Sequence, residues 1–162
     1  MAEAIKSAYV TEEYGDSKRT LVVLRGPTTV PLDIETFVDT LDEWLGEFSD
    51  PKNEILEAVY NALAKGFILL AYEEGELAGI AVVSRVCFET FFPRYHLSYI
   101  ATKPEFRGRG IGTMLLEKVK EVTGGDFSLH VDVKNTNAIR LYEKIGMKKK
   151  YYRMLYRGGT TE

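Results

Sequence analysis

The run Arg107-Gly108-Arg109-Gly110-Ile111-Gly112-Thr113 combines three glycines with two guanidinium groups. Glycine lets a backbone curl closely around a ligand, and a helix starting there adds unpaired N–H groups and the positive end of its dipole. A phosphorylated ligand suits such a turn. A plain tight turn is the alternative, and the two arginines count against it. Two nucleotide motifs fail on the residues themselves. A P-loop needs a lysine and then Ser or Thr after its last glycine, and no lysine follows Gly112. The G-x-G-x-x-G fingerprint, counted from Gly108, meets Thr113 where its last glycine should be. No pattern of metal-binding carboxylates accompanies the turn, which disfavours phosphate hydrolysis. The remaining chemistry-bearing side chains are few. His96 and His130 are the only histidines and Cys87 the only cysteine, so no zinc spacing and no intramolecular disulfide is expected. Cys87, inside a β-branched run, reads as a buried and inert thiol.

The elements that must position these residues are legible from periodicity. Asp33 stands as N-cap before Ile34, Phe37, Val38, Leu41 and Leu45, which recur at helical spacing to about Gly46. A second helix follows Asp50-Pro51, carries Ile55, Leu56, Val59 and Leu63, and stops at Gly66 as its C-cap glycine. Phe67 to Tyr72 and Leu77 to Phe88 form a hairpin about a turn containing Gly75. His96 to Thr102 is a strand leading into the glycine-rich run. Ile111, Leu115, Val119 and Val122 make the next helix amphipathic, and Gly124-Gly125 ends it. Ser128 to Val133 alternates as a strand, Ala138 to Ile145 is a helix closing at Gly146, and Met147 to Tyr156 is expected as a last strand or strand pair. Thr20 to Arg25 is an early strand, with a further hairpin from Ser7 to Arg25 left open. This order predicts an α/β (α+β) chain, a mixed sheet with helices on its faces, in a single domain over 1–162.

Composition bounds the partners. The chain has 162 residues, 45% hydrophobic and 28% charged, the balance of a globular domain with one sizeable core. Its net charge of −3 gives no broad positive surface for a nucleic-acid backbone. No basic start with an apolar run marks a signal peptide, and no apolar stretch reaches membrane-spanning length, so a cytoplasmic protein with no membrane partner is expected.

The glycine turn also fits a different pattern: Gln or Arg, two residues, Gly, one residue, then Gly or Ala, satisfied by Arg107, Gly110 and Gly112. Downstream, Asn135, Ala138, Tyr142, Gly146 and Met147 match N-x-x-A-x-x-x-Y-x-x-x-G followed by F or M. On these two ordered motifs the chain resembles the GNAT family of N-acetyltransferases, firmly over 67–147 and weakly in the early part of the chain. Leu129-His130-Val131 with Asn135 resembles the protein N-terminal, ribosomal-protein-alanine-like members.

The resemblance implies a largely antiparallel sheet of six or seven strands with splayed central strands, and acetyl-coenzyme A as acetyl donor, with no metal. It implies that the backbone amides of Arg109, Gly110, Ile111, Gly112 and Thr113, in the turn opened by Arg107 and Gly108, bind pyrophosphate. Ile100, Ala101 and Thr102 would run beside the pantetheine arm, and the Ile100 N–H would stabilise the oxyanion. Asn135 would anchor the arm or the following helix, and Tyr142 would place its hydroxyl near the sulfur. The acceptor amine must lose a proton before it attacks, for which His96, His130 and, in reserve, Glu89 are candidates. Phe88, Phe91, Phe92 and Tyr95 would border the acceptor. A peptide α-amine is the expected acceptor; a polyamine or aminoglycoside amine, a non-catalytic acyl-coenzyme A-binding module and a homodimer stay open.

Overall fold

The computed structural model describes residues 12–15, 18–26, 28–86 and 93–158. The apolar runs of the first half become the strands of a sheet covered on both faces. β2 (Arg19–Leu24) and β3 (Phe67–Glu73) pair antiparallel, as do β3 and β4 (Glu76–Arg85), and every residue from Leu21 to Leu24 and from Phe67 to Ala71 is buried. Alternate residues serve opposite layers. Val22, Leu24, Ile68, Leu70, Ile80 and Val82 pack against α1 (Ile34–Leu45) and α2 (Lys52–Lys65). Leu21, Val23, Phe67, Leu69, Ala81 and Val83 pack against α3 (Ile111–Val122). Because both faces are buried, these strands read as continuous apolar runs rather than as alternation.

The expected punctuation of the helices holds. The Asp33 carboxylate accepts the Thr36 N–H at 2.9 Å and starts α1. The Gly66 N–H closes α2 on the Ala62 carbonyl, but φ there is −111°, so glycine is not required by backbone conformation. A Cβ at Gly66 would lie 2.0 Å from the Val83 carbonyl oxygen. Glycine is there because α2 must end against β4. The β3–β4 hairpin turns through Glu74 and Gly75, at φ 49° and 82°, the paired positive values of a tight two-residue connection.

Among the described residues six strands lie in sequence order, with β1 (Glu12–Gly15) at one edge, paired antiparallel to β2. This is part of the Ser7–Arg25 hairpin; Ser7 to Thr11 lie outside the described residues, as do 87–92. At the other edge, β5 (Tyr95–Thr102) pairs antiparallel with β4 and parallel with β6 (Phe127–Leu129). The parallel pairing spans only Tyr95–Leu97, after which β5 runs on to Thr102 without β6, and the two strands splay.

Two strand expectations are corrected. Ser128 to Val133 contracts to β6, because the chain leaves the ladder at His130 and enters the turn that leads to α4 (Thr136–Lys144). Met147 to Tyr156 is no strand: Lys148, Lys149, Lys150, Tyr151 and Tyr152 are exposed and offer no alternating apolar face. No helix among the described residues is long and apolar enough to cross a membrane.

Candidate functional site

The glycine turn sits at the N-terminus of α3, where Gly108 and Gly110 have φ of 79° and 81°. Gly110 is the cap residue, and it supplies no side-chain cap hydrogen bond to the helix. A Cβ at Gly108 or Gly110 would meet nothing within 4 Å, so both glycines answer to the left-handed backbone and leave open space in front of it. Gly112 has another reason: its Cβ would stand 3.3 Å from Leu141 Cδ2, where α4 packs on α3. The two arginines divide. Arg107 donates to the Trp44 carbonyl at 2.8 Å, satisfying a last-turn acceptor of α1 and tying the turn to that helix. Arg109 lies over the Phe106 ring at 5.1 Å and stays exposed.

β5 leads into this turn. Its register with β4 shifts at Val82/Val83, so that Val82 faces Tyr99 and Val83 faces Leu97, leaving Ser98 as an extra residue. Past the bulge, Tyr99 and Ala101 face the α1–α2 layer while Ile100 joins the α3–α4 side. Tyr142, projecting from α4, joins that same cluster with Leu141 and Ile145. The structure thus brings Ile100 and Tyr142 to one side of the splay. Burial pushes the Tyr142 phenol up to about 12. Its hydroxyl therefore stays protonated throughout the neutral range and can only donate or accept a hydrogen bond. Asn135 caps α4, its side chain accepting the Ala138 N–H at 3.2 Å, so of its two expected roles the one observed is anchoring the helix that carries Tyr142.

The two histidines meet where β5 and β6 pair. His96 Nδ1 is 3.0 Å from Ser128 Oγ, and the His96 and His130 rings lie 4.7 Å apart at 59°. Burial, then the neighbouring His130 and the charge of Arg153, hold His96 down to about 4. Burial and Arg153 lower His130 as well. His96 is thus neutral at pH 7, able to accept a proton but weakly basic. Glu89, Phe88, Phe91 and Phe92 lie outside the described residues. Among the described residues no group of three His, Cys, Asp or Glu side chains could hold a metal ion.

Three contacts escaped sequence reasoning because their partners are distant in the chain. One is Arg107 to Trp44. Another is Gly79, whose Cβ would come within 2.7 Å of Ile111 Cγ2 and 3.0 Å of Leu115 Cδ1, so that only glycine lets the start of α3 settle on β4. The third is Tyr99, whose hydroxyl donates to Asp50 Oδ2 at 2.7 Å. Desolvation and the carboxylates of Asp50 and Glu54 raise that phenol.

A family model described as acetyltransferase (GNAT) family matches residues 35–147. Among curated proteins, the N-alpha-acetyltransferase RimI of Mycobacterium tuberculosis is 34% identical over 86 residues, covering 49% of this chain and 54% of that protein. The match thus spans about half the length of that relative. Among solved structures, the ribosomal-protein-S18-alanine N-acetyltransferase of Escherichia coli superposes with a TM-score of 0.63 at 20% identity, over 82% of this chain and 79% of that one. The aminoglycoside N-acetyltransferase AAC(6')-Iy gives 0.63 at 16% identity, over 92% and 97%. At these identities the two structures establish a shared fold.

Proposed function

We propose, since this chain belongs to the acetyltransferase (GNAT) family, that it transfers the acetyl group of acetyl-coenzyme A to an amine by direct attack in a ternary complex. The observation that carries this is the placement of the uncapped start of α3 at the end of β5, beyond the point where β6 has left it. Acetyl-coenzyme A supplies an activated thioester whose acyl carbon takes the amine's lone pair as the C–S bond breaks. The chain's own groups do the rest. The backbone amides from Arg109 to Thr113 bind the pyrophosphate, and the open space before Gly108 and Gly110 fits that approach. The free edge of β5 from Ile100 to Thr102 holds the pantetheine arm, with the Ile100 N–H donating to the carbonyl oxygen as it gains charge. The Tyr142 hydroxyl donates a hydrogen bond to the departing sulfur. Full proton transfer from a phenol near 12 to a thiolate is uphill, so the bond orients and stabilises rather than protonates outright.

For the acceptor we favour the α-amine of a polypeptide. The support is the Leu129-His130-Val131 context and the likeness to a relative named as an N-alpha-acetyltransferase. An α-amine, near pKa 8, gives up its proton more readily than a lysine side chain near 10.4. The neutral His96–His130 pair passes that proton toward solvent. The test is thiol release from acetyl-coenzyme A with a panel of peptide N-termini against small amines. Peptides reacting fastest is the expected result. Faster reaction of small amines would overturn the acceptor assignment, and binding of acetyl-coenzyme A without thiol release on any amine would leave a binding module in place of the enzyme.

A further inference from the structure

The last rungs before β5 and β6 part sort their side chains by face. Tyr95, Leu97, Phe127 and Leu129 pack on the α3–α4 side, in the cluster that also holds Ile100 and Tyr142. His96 and Ser128, paired across the two strands, alternate with them and so stand on the opposite face. His130, two residues beyond Ser128, joins them there, its ring 4.7 Å from that of His96. Tyr142 and the histidine pair, the two groups that handle protons, are therefore kept on opposite sides of the sheet. One ring nitrogen of His96 is engaged. Nδ1 lies 3.0 Å from Ser128 Oγ, whereas among the described residues Nε2 has no hydrogen-bond partner. The neighbouring hydroxyls are committed elsewhere: Ser84, opposite His96 on β4, meets Ser98 at 2.8 Å, Oγ to Oγ. Burial above all, with the charge of Arg153 facing both rings, keeps the two imidazoles neutral at pH 7. A neutral imidazole has one N–H and one bare nitrogen, and the hydrogen bond made at one nitrogen decides which is which. A serine hydroxyl can donate to Nδ1 or accept from it, and only the second leaves Nε2 free to take a proton.

We propose that Ser128 is the positioning residue of the proton acceptor: its hydroxyl oxygen accepts the Nδ1–H of His96 and so presents Nε2 as the bare nitrogen that takes the proton of the acceptor amine. This rests on the transfer reading above and goes beyond it by assigning the base, its receiving atom and the group that orients it. As the amine nitrogen bonds to the acyl carbon, one of its N–H bonds breaks. The electron pair stays on that nitrogen and the proton bonds to the Nε2 lone pair. The imidazolium so formed keeps its Nδ1–H on Ser128. His130, the more exposed ring, then accepts the Nε2 proton and releases it to water.

Nitrogen-15 NMR of the imidazoles, with coenzyme A present, reads the tautomer directly in the wild type, Ser128→Ala and Ser128→Thr, with His130→Asn assigning the His96 signals. Turnover is measured beside it with the fastest acceptor of the panel above. The expected result is a His96 ring protonated at Nδ1 and bare at Nε2 in the wild type and in Ser128→Thr, and a ring without this preference in Ser128→Ala. Ser128→Ala should lower kcat about tenfold, the upper end for one neutral hydrogen bond, with KM for the acceptor and coenzyme A affinity little changed. Ser128→Thr, which keeps the hydroxyl, should regain most of that loss. A hydrogen bond that only steadies the strand would lower the melting temperature of Ser128→Ala and leave tautomer and kcat as they were, which would overturn the proposal. So would a wild-type His96 protonated at Nε2, since Ser128 would then be the donor. A tautomer that follows Ser128 in a protein that releases no thiol with any amine would keep the orienting bond and overturn the transfer reading instead.

Discussion

At the residue scale, the chemistry depends on groups whose protonation the fold has fixed. Tyr142 is held in its neutral form by burial, so removing its hydroxyl tests donation alone. Tyr142→Phe should lower kcat by about a hundredfold, the low end for a hydrogen-bond donor aimed at developing charge, with coenzyme A affinity unchanged in a binding titration. His96 offers a test that needs no substrate. Its pKa is depressed from 6.5 in the unfolded chain to about 4 when folded, so the unfolded state binds the extra proton in between. The associated stability is fully present above about pH 6.5 and is lost as the pH falls toward 4. It is of order 3 kcal/mol. Urea unfolding at stepped pH should find the wild type losing that stability across this window. His96→Asn, which keeps a polar group toward Ser128, should lose markedly less.

At the element scale, local signals were readable and long-range ones were not. Asp33 capping α1 acts on neighbours within a few residues, so spacing alone found it, whereas Asn135 as the anchor of α4 came from the resemblance. β6 and the segment from Met147 were misjudged for a related reason. A strand exists only where an edge accepts it, and β6 offers three paired residues before the chain turns away. Gly79 lay beyond any local pattern, since its reason is an isoleucine 32 positions later. Gly79→Val should therefore displace the start of α3 from β4 and weaken coenzyme A binding, although residue 79 is remote from the glycine turn in sequence. Overpacking of this kind costs about 1–3 kcal/mol, to be read as a lower unfolding midpoint together with the loss of affinity. A lowered midpoint with unchanged affinity would separate the sheet contact from the placement of the helix.

At the scale of the whole molecule, a net charge of −3 conceals two opposed regions, one acidic through α1 and the start of α2, one basic through α4 and the residues after it. Net charge averages away the feature that bears on two-substrate chemistry. Lys148, Lys149 and Lys150 are exposed and contribute three of the eight cations between Lys134 and Arg157. Lys149 has only a long contact of 3.8 Å with Glu143, so the three charges act as a field rather than as a set of fixed bonds. Coenzyme A carries several phosphate charges, and its encounter with the chain should quicken in that field. Screening then becomes the diagnostic: the Debye length falls from about 10 Å at 0.1 M salt to about 3 Å at 1 M, while the hydrogen bonds of the glycine turn are little affected. In stopped-flow binding, the association rate of acetyl-coenzyme A should fall with added salt in the wild type and more shallowly in Lys148→Gln/Lys149→Gln/Lys150→Gln. The dissociation rate should be nearly the same in both, because the neutralised side chains need not touch the ligand. A triple variant with the wild-type salt slope would confine the attraction to the turn itself.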